Sequence, residues 1–86
     1  MKRMFIDVRE PYEYAAGHVA GAINLPVSEL PNAATVLKDI PKDTELIVYC
    51  QSGNRSGASI KVLQQQGYTN VVNGINKHQV EANYDV

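Results

Sequence analysis

Apolar residues gather in short runs along the chain, each closed by glycine, proline or asparagine. Two runs, "MFIDV" (residues 4–8) and "ELIVYC" (45–50), are rich in β-branched and aromatic side chains and lack clean polar alternation. Strands buried on both faces have this pattern. "GAINLP" (21–26) and "NVVNG" (70–74) are shorter and read as strands through their Gly, Asn and Pro boundaries.

Helical patterns lie between them. "EPYEYAAG" (10–17) has Pro11 at a first-turn position, acidic residues early and Gly17 at its end. "SELPNAATVLKDIP" (28–41) predicts a helix capped by Ser28 and stopped by Pro41, with Pro31 in its opening turns. "RSGASIKVLQQQG" (55–67) sets Ala58, Val62 and Leu63 on one face and ends in Gly67. "INKHQVEANY" near the C-terminus reads as a polar helix. Strands alternating with helices imply an α/β sandwich around a mostly parallel central sheet flanked by short helices.

Composition narrows this picture. An 86-residue chain with 44% hydrophobic residues can bury one modest core, so one domain over residues 1–86 is expected, acting as a monomer. Eight Lys and Arg stand against nine Asp and Glu, without a basic block to follow a phosphate backbone, so nucleic acid is not an expected partner. No apolar run reaches the roughly 18 residues of a membrane span, and "MKRMFIDVRE" meets Asp7 too soon for a signal-peptide core. The chain as written thus reads as a cytoplasmic protein that binds no membrane; a periplasmic location would require that a leader had been removed. The lone Cys50 forms no internal disulfide and, without a second thiol, suggests no structural zinc.

The position of that cysteine carries the chemistry. In "VYCQSGNRSGAS" (48–59), Cys50 ends a strand and precedes a helix, the junction where open α/β sheets build their sites. Gly53 lets the loop "CQSGNR" adopt backbone angles closed to other residues. The loop N–H groups can then converge on one focus, joined by the positive end of the helix. A thiol there loses its proton readily, and Arg55 would add a full positive charge. The alternative is a small buried hydrophobe that merely ends a strand.

The blocks "DVRE…E…GHVAGAIN" and "YCxxGxRS" together resemble the single-domain rhodanese family of sulfurtransferases, from about Phe5 to Gly74. The resemblance implies a small rhodanese-like sandwich and a Cys50 nucleophile. It also implies that Cys50 carries a sulfane sulfur as a persulfide, with the backbone of Gln51, Ser52, Gly53, Asn54, Arg55 and Ser56 as its cradle. The implied partners are a small sulfur donor, thiosulfate or a persulfide, and a cyanide, thiol or protein sulfur acceptor. No metal or organic cofactor is implied. Asp7 and Arg9 are expected to support the site, Asp7 by bracing Arg55. His18 falls in the family's "GHV" structural turn, and Tyr12, Tyr14 and Tyr49 are expected to pack.

Related cell-cycle phosphatases use a C-x5-R loop around phosphate, whereas Cys50 and Arg55 here enclose four residues. The smaller ring suits one sulfur atom and makes a phosphatase-like enzyme the lesser alternative. A catalytically silent rhodanese-like interaction module is the other alternative, set against a retained cysteine and a complete loop. The chain departs from the family in starting almost at the first motif, so the leading strand and helix of longer members are not expected. It also carries "NGINKHQV" where GG and Trp are usual. Glu13 and Ser52 stand where two-domain members have basic residues, and weak binding of dianionic thiosulfate is expected from that exchange.

Overall fold

The computed structural model describes residues 3–86. In chain order the elements are β1 (Arg3–Asp7), α1 (Pro11–Ala16), β2 (Ile23–Asn24), a 3-10 segment (Val27–Asn32), α2 (Ala33–Val36), β3 (Glu45–Cys50), α3 (Asn54–Gln65), β4 (Val71–Asn76) and α4 (Lys77–Asn83). The strands form a four-stranded sheet in the order β2-β1-β3-β4, with every pair parallel. The α/β architecture expected from the sequence is therefore present, and its sheet is wholly parallel rather than mostly so.

β3 lies in the middle of the sheet and shows why its sequence lacks polar alternation. Leu46, Val48 and Cys50 face a core with Ile6, Leu25, Leu37, Leu63 and Tyr68. Ile47 and Tyr49 face a second core with Val19, Ala22 and Val80, against which Phe5, Tyr14 and Tyr84 pack. The two-residue period of a strand thus sends Cys50 to the side covered by α3. The chain moves one way from β1 to β2 and the other way from β2 to β3 and β4. The strand order therefore switches between β1 and β3, and Asp7 and Cys50 end the two strands that flank this switch.

Three local expectations are corrected. Residues 28–41 do not make one helix: Pro31 has no N–H to donate, and a 3-10 segment gives way to the four-residue α2. α3 turns Ser56, Ser59 and Leu63 inward and leaves Ala58 exposed, because two small serines let its first turns approach the sheet beside Cys50. Tyr12 does not pack and is 75% exposed. Tyr49 is fully buried, and Tyr14 is half-buried with its hydroxyl donating to the Ala22 carbonyl at 2.6 Å.

The C-terminal packing proceeds without tryptophan. Val80 is fully buried, while Tyr84 meets Phe5 edge to face with centroids 5.8 Å apart and lies under the Arg3 guanidinium. Gly74 permits this closeness: a Cβ there would stand 2.7 Å from Val80 Cγ2 and 2.9 Å from Ile47 Cγ2. The β3–β4 register slips at this point, pairing Val48 with Asn73 and Tyr49 with Ile75. Ile75 takes φ 74°, a left-handed value costly for a β-branched residue.

Candidate active site

Cys50 ends β3 and is 1% exposed, beneath the turn that leads into α3. Gly53 makes the turn possible with φ 92°, and its N–H donates to Cys50 Sγ at 3.0 Å. Ser56 Oγ stands 3.4 Å from the same sulfur. Burial pushes the thiol's pKa up, but the Ser56 hydroxyl and the N–H groups of Ser56, Ser52 and Gly53 outweigh it, leaving a value lowered to about 7. The twelve-residue α3 also directs its positive end at this point. The loop thus brings Ser52, Gly53 and Ser56 to the sulfur, while Gln51, Ser52 and Asn54 keep exposed side chains.

Arg55 does not meet Asp7. Its Nη1 and Nη2 donate to the two carboxylate oxygens of Glu13 at 2.7 and 3.1 Å. Glu13 is held there by α1, where its Oε1 also accepts from the Glu10 N–H at 2.9 Å. Arg55 first, and this backbone bond second, lower the Glu13 pKa to about 2. Hydrogen bonding to Glu13 in turn raises the pKa of Arg55, whose charge also feels Cys50.

Asp7 instead binds Arg9. Arg9 Nη2 and Nε donate to it at 2.7 to 3.1 Å, and the Arg9 backbone N–H adds a bond at 2.9 Å. Arg9 also donates to the Gly17 carbonyl at 2.7 Å, tying the end of β1 to the end of α1. The buried Tyr49 hydroxyl accepts from the Val19 N–H at 3.0 Å. Asp7 and Arg9 therefore brace the end of β1 against the end of α1, and Asp7 pairs with Arg9 instead of Arg55. His18 lies in the connection between α1 and β2, just before the turn closed by the Ala22 N–H on the Val19 carbonyl: its Nδ1 lies 2.8 Å from the Tyr14 carbonyl and its ring stacks on Tyr14 at 3.7 Å.

Two contributors escaped the sequence reading in these roles. Glu13 appeared there only as a departure from basic residues elsewhere, with nothing to mark Arg55 as its partner. Asn73 did not appear as a site residue. It accepts from Ser56 Oγ at 2.7 Å and from the Ile75 N–H at 3.0 Å, and donates to the Gly53 carbonyl at 3.2 Å. The signal available was an Asn-Gly pair inside a strand-like run, which marks a bulge.

Residues 1–76 match the family model described as Rhodanese-like domain. The chain is 43% identical over 70 residues to the thiosulfate sulfurtransferase PspE of Escherichia coli, covering 80% of this chain and 65% of that protein. It is 39% identical over 70 residues to a sulfurtransferase of Allochromatium vinosum, covering 81% and 63%. The chain thus spans slightly less than two thirds of the length of these curated relatives. Among solved structures, a rhodanese with anions from E. coli superposes with a TM-score of 0.79 at 37% identity, over 90% of this chain and 89% of that one.

Proposed function

The chain belongs to the rhodanese-like domain family, and from that premise we propose that it is a sulfurtransferase in which Cys50 carries the transferred sulfur. The observation that carries the proposal is the convergence of the Gly53 N–H and Ser56 on a thiol whose pKa lies near 7. The Cys50 thiolate attacks the sulfane sulfur of a donor. A sulfur–sulfur bond forms, and the donor's own bond to that sulfur breaks with its electron pair leaving on the departing group, sulfite in the case of thiosulfate. The terminal sulfur of the persulfide then bears the negative charge, which the N–H groups of Ser52, Gly53 and Ser56 and the end of α3 offset. Attack by cyanide or a thiolate on that terminal sulfur carries it away and returns the Cys50 thiolate.

Two features bear on the donor. Arg55 is committed to Glu13, so the cation beside the cradle is already balanced and a dianion gains little from it. Persulfides of lower charge are favoured over thiosulfate. Cys50 is 1% exposed, so loading is slower than exchange at a free thiol of equal acidity.

Incubation with excess thiosulfate and no acceptor should add the mass of one sulfur atom at Cys50. Cyanide should remove it and release a matching amount of thiocyanate. Cys50→Ser should do neither, and a weak thiosulfate signal should strengthen with an uncharged persulfide donor. Failure to load from either donor, with the protein folded and reduced, would favour the interaction-module reading.

A further inference from the structure

Three side chains in series connect the thiol to β4: Cys50 Sγ lies 3.4 Å from Ser56 Oγ, which lies 2.7 Å from Asn73 Oδ1. The orientation of the Asn73 amide follows from two backbone groups that have one role each. The Ile75 N–H can only donate, and it meets one end at 3.0 Å; the Gly53 carbonyl can only accept, and it meets the other at 3.2 Å. The end shared by Ile75 and Ser56 is therefore the oxygen. An amide oxygen only accepts, so in this arrangement the serine hydroxyl donates to Asn73. A hydroxyl has one proton. While Asn73 holds it, Ser56 offers Cys50 only lone pairs, which suit a thiol S–H and disfavour a thiolate.

We propose, on the sulfurtransferase reading above, that Asn73 is a positioning residue that holds the Ser56 proton in the thiol and persulfide states and yields it to Sγ in the thiolate state. In the thiol state the S–H donates to Ser56 and Ser56 donates to Asn73. When the thiol proton leaves to solvent, the hydroxyl rotates and donates to the sulfur anion, and Asn73 Oδ1 keeps the Ile75 N–H. When Cys50 takes up a sulfane sulfur, Sγ becomes a neutral bridging atom and the charge moves to the terminal sulfur. The hydroxyl then returns to Asn73. Asn73 thus competes against the thiolate and favours the loaded state.

Charged groups near the cradle include Arg55 on α3, whose field reaches Cys50, Glu13 on α1, bound to it, and Lys77, which opens α4 just after Asn76 and pairs with Glu81. Asp7 and Arg9 at the end of β1 pair with each other. β4 contributes to this end of the sheet the neutral side chains of Asn73 and Asn76. The hydroxyl's orientation is therefore the variable that Asn73 controls.

The test is the pH midpoint of iodoacetamide alkylation of Cys50 in the folded, reduced protein, a reaction that needs no sulfur donor and so reads Asn73 even if sulfur transfer fails. Asn73→Ala frees Ser56 to face the thiolate, and the midpoint should fall by about one pH unit, the scale of one hydrogen bond to a charged group. Ser56→Ala should raise it, and the double variant should match Ser56→Ala. A merely structural Asn73 would give the opposite sign, since losing its bonds to Gly53 and Ile75 would loosen the cradle. An unchanged or raised midpoint in Asn73→Ala, or an equal fall without Ser56, overturns the proposal. If Asn73→Ala does not fold, Asn73→Asp should raise the midpoint, and by less when Ser56 is alanine. An equal rise with and without Ser56 would assign the effect to charge alone and reject the proposal.

Discussion

Arg55 grips the carboxylate of Glu13 through two nitrogens, at 2.7 and 3.1 Å, across 42 positions of sequence. The contact joins the first turn of α3, which frames the thiol, to α1, which follows the end of β1. It fixes the loop's far end and neutralises the Arg55 cation beside the thiol.

Removing that carboxylate's charge should change donor preference. Glu13→Gln leaves Arg55 charged and less firmly held, so initial loading from thiosulfate should rise several-fold at low salt. The gain should shrink as ionic strength increases toward ~0.5 M, where exposed charges are screened. Loading from an uncharged persulfide should barely change. A salt-independent gain, or equal gains with both donors, would place the effect in loop mobility instead.

Acidity at Cys50 should appear in stability as well as reactivity. The folded pKa is about 7 against an ordinary 9.0, so the folded state binds fewer protons between those values. The associated stability is present in full above pH 9 and lost as pH falls through 7. On the order of 2 kcal/mol should separate the two ends of this window. Urea unfolding at pH 6 and pH 9.5, compared with Cys50→Ser, measures it; the serine variant should lack this slope.

Adjacent positions in β4 should respond oppositely to small substitutions. Gly74→Ala drives a methyl into Val80 and Ile47 and should destabilise by about 1–3 kcal/mol. Ile75→Gly relieves a left-handed β-branched residue whose side chain is 42% exposed and should stabilise by about 1 kcal/mol, or several degrees in Tm. Thermal melts of the two variants decide the signs.

The buried brace should matter for folding more than for chemistry. Asp7→Ala leaves the Arg9 guanidinium, in a residue 7% exposed, without its carboxylate. A loss of about 3–5 kcal/mol is expected in urea unfolding. In the fraction that remains folded, the Cys50 alkylation midpoint should stay near its original value. A large shift in that midpoint would return Asp7 to the sulfur site.

The elements that depend on their own residues were legible in the sequence. Apolar runs without clean polar alternation marked β1 and β3, Pro11 and Gly17 bounded α1, and Cys50 stood out by its place between a strand and a glycine-bearing turn. Periodicity and punctuation act within a few residues, so they survive in a linear reading. The same locality explains the failures. Ala58 was expected on the buried face of α3 with Val62 and Leu63, but close approach to β3 favoured the small hydroxyl side chains of Ser56 and Ser59. Arg55 was expected to meet Asp7, and nothing local marked Glu13 as its partner. The choice fell to Glu13 because Asp7, fully buried at the end of β1, already had the Arg9 guanidinium two residues away. Asn73 became part of the site only when the β3–β4 register slipped at Gly74 and set its amide beside Ser56, 17 positions earlier. Pairings of this kind depend on strand order and helix rotation, which the packing of the whole chain determines and no single element encodes.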